Sequence, residues 1–508
     1  MRFAGLSAND GRRLLPGVGS ILFAAQLNLM FPRATAFLND PGTGWHLRAG
    51  RMMLEEKRWI VVDPFSFTHG GEPWITFEWL SEVIFALVER VAGLGGLVWF
   101  GFSLFALVPL LLFRWLLANK IPHAAAFAYA VSALLMLQGH TLARPHVFTY
   151  LAFVVLFLVV GPRMEDGPTR RQWLALPLLF GLWANLHGGF VAGLVWLGAR
   201  LAGFALDRTS GRGSLPGWSS LLAACAAATL VNPHGARLHA KIWEELVELK
   251  TVRYWMEFAP PDFYGPSLLA AVVLATTFVL LIGLKTGALA DLRWDEFLPV
   301  LVFLFFSFKS QRHVFLLLLV ASVTVCRAVI GMLARPVALP SRWRRFAELL
   351  REARGEWWAV PLLAVLFGAW LAASGLPARL RVGEQHLSKG AAEFLEANLS
   401  RVHRPITTST TGGPLLYYFF PAIRVSFDDR GEFYRDRENL KFIRMFAMGP
   451  HWRATLSERR FDAAILPPEM PLVQGLALLP EWREAYRDDV VVIFLHGPDE
   501  RSAGNAPV

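Results

Sequence analysis

The chain of 508 residues holds only two cysteines, and charged residues make up just 18% of it. Cys225 and Cys326 both fall inside apolar runs, which makes them packing residues and implies neither a disulfide nor a thiolate metal site. HExxH, HxH and CxxC spacings are missing, as are GxGxxG and Walker A loops, so the local signatures of metal and nucleotide sites are absent. The shortage of charge excludes an ordinary soluble domain. What stands in its place is a hydrophobic share of 54%, with runs such as "LLPGVGSILFAAQLNLMF", "GLVWFGFSLFALVPLLLF" and "FLPVLVFLFFSF", which mark an integral membrane protein. The net charge of +10 needs no nucleic-acid partner, because its distribution reads as a topology signal.

About eleven transmembrane helices are expected, at 14–33, 95–115, 122–139, 145–162, 172–186, 188–206, 216–231, 265–284, 294–309, 313–333 and 357–376. Arg12 and Arg13 precede the first run and no small-residue cleavage site follows it, so it is read as a retained helix. With a cytoplasmic N-terminus, the inner loops 114–120, 161–171, 207–214, 285–293 and 334–356 each carry two or more Lys or Arg. Within the last of these, 341–354 reads as an amphipathic helix on the inner surface. The first outer loop, 34–94, holds two further helical stretches, 44–57 and 77–94, whose charges assign them to the outer interface. Residues 1–376 thus form a transmembrane domain. The charged, outward-lying 377–508 form a small α/β domain, with strands expected at 405–411, 422–429, 462–467 and 489–496 and helices at 387–400 and 438–447.

This topology gathers polar residues at one depth. Of nine histidines before residue 376, eight lie on the outer side and only His123 on the inner. Four helix ends, "TLARPHVF", "ANLHGGF", "VNPHGARL" and "FKSQRHVF", each present a His beside Arg, Asn or Lys. Taken singly, each residue is explained by capping or snorkelling. Together, Asp40, His46, Glu78, Arg144, His146, Asn185, His187, Asn232, His234, Lys309, Arg312 and His313 outline a shared polar cavity. Guanidinium and ammonium groups (Arg144, Arg312, Lys309) suit phosphate oxygens. A carboxylate such as Asp40 suits a general base, and His46, His187 or His234 suit sugar hydroxyls or hold that base. A divalent metal is a possible second use of the cluster, but it would rest on residues from distant loops, so no cofactor is expected.

A first span followed by an outer loop that opens on an acid and contains interfacial helices resembles the GT-C glycosyltransferases, such as the protein O-mannosyltransferases and aminoarabinose transferases. The resemblance implies sugar transfer from a polyprenyl-phosphate carrier, with Asp40 as base and basic residues of later outer loops on the lipid phosphate. More closely, "DPFSFT" followed by "EWLSE", and "RVSFDDRGEFY" in the tail, are similar to a group of bacterial membrane proteins, implying residence in the bacterial inner membrane. Several of those have a second acid where this chain has Gly42, so a DxD-type metal pair is absent and a metal-independent reaction is implied.

The expected activity is therefore transfer of a sugar from a polyprenyl-phosphate donor to an extracytoplasmic glycan, lipid or protein acceptor, in contact with membrane lipid. A transporter or flippase for a lipid-linked or anionic solute is the alternative, but it would need polar residues at mid-membrane, and the span interiors are nearly free of charge. A non-catalytic envelope assembly protein would leave the histidine face without a use. In the tail, "TSTTGGPLL" reads as a strand-to-loop turn ahead of a phosphate cradle. "FDDRGEFY" reads equally as an acceptor-facing strand end or as a salt-bridged loop.

Overall fold

The computed structural model describes residues 17–207, 214–248, 258–333, 345 and 359–497. The membrane part runs α1 (Val18–Met30), α2 (Pro41–Glu56), α3 (Trp79–Ala118), α4 (His123–Leu137), α5 (His146–Val160), α6 (Arg170–Leu186) and α7 (Phe190–Leu206). It continues with α8 (Leu215–Ala228), α9 (Ala236–Trp243), α10 (Leu268–Lys285), α11 (Trp294–Lys309), α12 (Val314–Leu333) and α13 (Ala359–Ala373). Helices stand on all the expected apolar stretches. Among the described residues, three segments, Trp79–Ala118, Leu268–Lys285 and Gln311–Leu333, are long and apolar enough to cross a membrane, and the bent pair Val18–Phe37 with Pro41–Glu56 makes a fourth if counted as one span. The others are shorter than the roughly 20 residues of a simple crossing, so eleven helices do not by themselves make eleven spans. The amphipathic stretch expected at 341–354 lies outside the described residues, apart from Arg345.

Local chemistry explains the main breaks. The chain turns by 82° between the first helix and α2. At that turn Asp40 caps α2, its carboxylate accepting the Gly42 N–H at 2.9 Å, and Pro41 occupies the first helical position. α3 combines the expected interfacial helix and the following span. They are separated by Gly93, whose φ of 65° and ψ of −169° interrupt the helix. Thr169 and Gln172 form a capping box that starts α6. On α6, Leu174, Leu178 and Leu182 are exposed at four-residue spacing while Leu176, Phe180 and Trp183 are buried. An apolar stripe left uncovered in this way suits a lipid-facing helix.

The tail folds as α14 (Lys389–Ala397), β1 (Pro405–Ile406), α15 (Gly412–Phe419), α16 (Gly431–Phe446), α17 (Trp452–Glu458), β2 (Ala463–Leu466), α18 (Pro471–Ala477), β3 (Trp482–Arg487) and β4 (Val492–His496). Its sheet has the order β1-β2-β4-β3, with β1 parallel to β2 and the other pairs antiparallel. Two expectations need correction: the strand expected at 405–411 is limited to Pro405–Ile406, and the one expected at 422–429 is not in the sheet. In the latter, Val425 instead makes a single parallel bridge to Ser66 of the first outer loop. The edge strand β3 replaces it, and its mixed burial explains why "WREAYR" shows no apolar alternation. The tail's core also draws in Trp45, Met52, Met53, Phe65 and Trp74 from that outer loop.

Candidate functional site

Where α2 begins, the tail and the helical bundle meet without intervening side chains. A Cβ on Gly44 would sit 2.1 Å from the Gly413 carbonyl oxygen, and one on Gly413 would sit 1.8 Å from that of Pro41. The double glycine of "TSTTGGPLL" is therefore a docking surface for α2, with no phosphate needed to explain it.

This close approach delivers "FDDRGEFY" to the membrane helices, and its residues divide between two tasks. Arg430 is fully buried. Its guanidinium bonds Asp428 and, at 2.8 Å, Asp63 of "DPFSFT", and it lies 4.5 Å from the centre of the Trp74 ring. Asp428–Arg430–Asp63 is thus the salt-bridged structural element that the sequence allowed.

Asp429 points the other way. It accepts the Trp45 indole N–H at 2.6 Å and a bond from Arg144 Nη2 at 2.8 Å. Arg144 also bonds Asp40 through Nε at 2.7 Å, so one guanidinium bridges the capping acid of α2 and an acid of the tail. A Cβ at position 42 would meet the Asp429 carboxylate at 2.9 Å. The place where a second acid is missing from the opening motif is therefore taken by the carboxylate of Asp429. Burial, reinforced by the charge of Asp40 and opposed by Arg144, raises the Asp429 carboxyl from the ordinary 3.8 to about 7.

Next to this bridge lies a carboxylate–imidazole cluster. His46 is buried, with Nδ1 3.1 Å from Glu82 and Nε2 3.6 Å from Glu78. On its other side Glu78 is 3.3 Å from His187 Nε2. His187 Nδ1 accepts the Gly189 N–H at 2.9 Å, so its ring proton is assigned to Nε2, facing Glu78. Burial, helped by Arg312, lowers the His187 pKa well below the ordinary range; burial and the charge of Glu82 raise that of Glu78 well above it. The second oxygen of Glu82 is buried and has no hydrogen-bond partner. A neutral imidazole between such carboxyls can orient them and move a proton among them.

The remaining expected residues divide similarly. Arg312 stacks 4.2 Å over Phe258 and lies 3.7 Å from Glu245. His146 Nε2 meets the His140 carbonyl at 2.8 Å at the start of α5. Asn185 ties three elements together, donating to the Gly181 and Val231 carbonyls and accepting from the Trp79 indole. Asn232 closes its own turn through Thr229 and Gly235, and its Oδ1 accepts the His234 N–H. His234 Nε2 is buried without a partner, as is His313 Nδ1. His313 packs on Phe306, and Lys309 is exposed over Phe305 of its own helix. Sequence reasoning missed Glu82, Lys241 and Glu245, and read Glu432 only as part of "FDDRGEFY". Lys241 donates to the Glu432 carbonyl at 2.8 Å, and burial with the charge of Glu245 pushes Glu432 up to about 8. Among the described residues no group of three or more His, Cys, Asp or Glu is arranged to hold a metal ion.

Neither a family model nor a curated protein matches the chain. Solved structures do. The apo oligosaccharyltransferase of Archaeoglobus fulgidus superposes with a TM-score of 0.53 at 13% identity, over 89% of this chain and 69% of that one. The same archaeal enzyme, AglB, in complex with an inhibitory peptide and a dolichol-phosphate gives 0.51 at 12% identity, over 88% and 69%. ArnT from Cupriavidus metallidurans bound to undecaprenyl phosphate gives 0.50 at 15% identity, over 94% and 99%. At such identities the likeness is one of architecture, and in architecture this chain is GT-C-like.

Proposed function

We propose that the protein is a glycosyltransferase that moves a sugar from a polyprenyl-phosphate carrier to an acceptor on the extracytoplasmic side of the bacterial inner membrane, with its N-terminus cytoplasmic and the tail outside. The observation that carries this reading is the meeting of Asp40, Arg144 and Asp429 beside the Glu78–His46–Glu82–His187 cluster, where the tail closes over the bundle. Solved structures of similar fold bound to dolichol-phosphate and undecaprenyl phosphate support a donor of that class.

The acceptor hydroxyl attacks the anomeric carbon, the bond to the lipid phosphate breaks, and the hydroxyl proton passes to a carboxylate. Asp40 is the base, held in place by the Gly42 N–H and Arg144. Glu78 and the imidazoles of His46 and His187 take the proton onward. Arg144 and Arg312 stabilise the phosphate that leaves, with Lys309 on the adjoining helix end, because charge that develops in a site sheltered from water gains most from preset cations. His146, His234, Asn185, Asn232 and His313 frame the donor pocket. The cation between the two acids is the Arg144 guanidinium.

The test is incubation of purified protein with labelled polyprenyl-phosphate sugars, measuring free lipid phosphate. Wild type should release it, and Asp40→Asn should fall by about 100-fold or more with unchanged membrane insertion. Full activity in that variant removes Asp40 from the mechanism.

A further inference from the structure

A second charged cavity lies on the far half of α2. Its volume is about 470 Å³, and Arg48, Arg51, Glu55, Glu89 and Arg90 line it together with Leu54. Arg48 follows Asp40 by eight residues along one helix, on the order of 12 Å at 1.5 Å per residue, so the cavity is separate from the bridged acids. Three guanidiniums face two carboxylates there, leaving one positive charge. The charges are unevenly satisfied. Arg51 is clamped by Glu89, which also accepts the Tyr417 hydroxyl at 2.5 Å. Arg48 has its guanidinium 5.1 Å from the centre of the Phe420 ring, and its Nε is buried with no hydrogen-bond partner. A buried donor left unpaired is costly unless a ligand completes it.

The rim is apolar. Leu87 is 48% exposed and Val91 is 78% exposed, one turn apart on α3 and next to the lining residues Glu89 and Arg90. An arginine that merely snorkels keeps its head in water; here a cavity with surplus positive charge is lined by the same helix that leaves Leu87 and Val91 exposed. We infer that this cavity binds the phosphate of a membrane lipid, with Arg48 and Arg90 on the phosphate oxygens and the acyl chain along Leu87 and Val91. One net positive charge matches a phosphodiester monoanion. The inference depends on the membrane placement of the chain and not on its catalytic activity.

The full-length protein, purified in mild detergent, is equilibrated with dioleoyl phosphatidylglycerol, with dioleoyl phosphatidylcholine or with inorganic phosphate, and retained molecules are counted by native mass spectrometry. Wild type should retain phosphatidylglycerol about tenfold better than phosphatidylcholine, and Arg48→Gln with Arg90→Gln should lose that preference, as expected for charge-assisted hydrogen bonds. Glu55→Gln removes no cation and adds one unit of net positive charge, so it should strengthen retention in a protein with the wild-type melting temperature. Equal retention of both lipids by wild type, or no effect of either change, overturns the assignment. Inorganic phosphate that displaces the lipid at equal concentration overturns its lipid character.

Discussion

Asp429 shows how one carboxyl can be both structural and titratable. Its pKa, near 7, lies above that of an unfolded aspartate, so the stability it contributes is fully present below about pH 4 and is lost as pH rises through about 7. Transfer runs in the opposite sense, because ionised Asp429 holds the Arg144 that positions the proposed base Asp40. The expected kcat/KM rises from pH 6 to 8 with an apparent pKa of about 7, and Asp429→Asn should flatten that limb. An unaltered profile in the variant would assign the limb to another group. Arg430 makes the contrasting case, since both of its carboxylate partners are fully buried. Arg430→Met leaves Asp63 and Asp428 buried without their counter-ion and should cost about 3–5 kcal/mol, read as a lower melting temperature. The sequence "FDDRGEFY" supported both an acid facing the cavity and a salt-bridged loop. Asp428 pairs with Arg430 two residues on, which also bonds Asp63, whereas Asp429 pairs with Arg144 and Trp45 from distant parts of the chain. The local sequence does not say which acid takes which role.

Among elements, the helices of the bundle were legible because apolar length and arginine placement are local signals. The helices expected at 44–57 and 77–94 are present as α2 and the first part of α3, the latter continuous with the following apolar helix across Gly93. The docking of α15 on α2 was not, because a glycine pair announces close approach without naming what approaches. Gly44→Ala or Gly413→Ala should loosen the tail, with faster proteolytic clipping between the bundle and residue 389 and loss of transfer. Gly198→Ala is the control: its added Cβ meets only Leu222, at an ordinary 3.9 Å, and clipping should stay at the wild-type rate. A second lock lies away from the site, where Arg200 bonds Asp295 at 2.5 Å and Arg293 bonds Asp295 and Glu165. It was unreadable in sequence because Arg200 and Asp295 sit on helices nearly a hundred residues apart.

For the molecule as a whole, two apolar cores share one seam. The larger runs through the helices, and the smaller joins the sheet of the tail to the first outer loop. A chain cut after residue 376 should insert but expose Trp45, Met52, Phe65 and Trp74, and should aggregate in gel filtration where the full chain does not. Recovery of such a fragment as a monodisperse species would show that the outer loop folds without the tail.

The bridge through Arg144 also has a consequence in time. Its partner Asp429 follows it by 285 residues and follows Trp45 by 384. On the proposed topology, Asp40, Glu78 and Arg144 are therefore synthesised and inserted long before the last acid is made and exported. A nascent chain holds a cation with one carboxylate and an unroofed cluster, and only translocation of the tail completes the pairing. On the proposed function, an unfinished copy would lack the completed bridge and turn over no substrate.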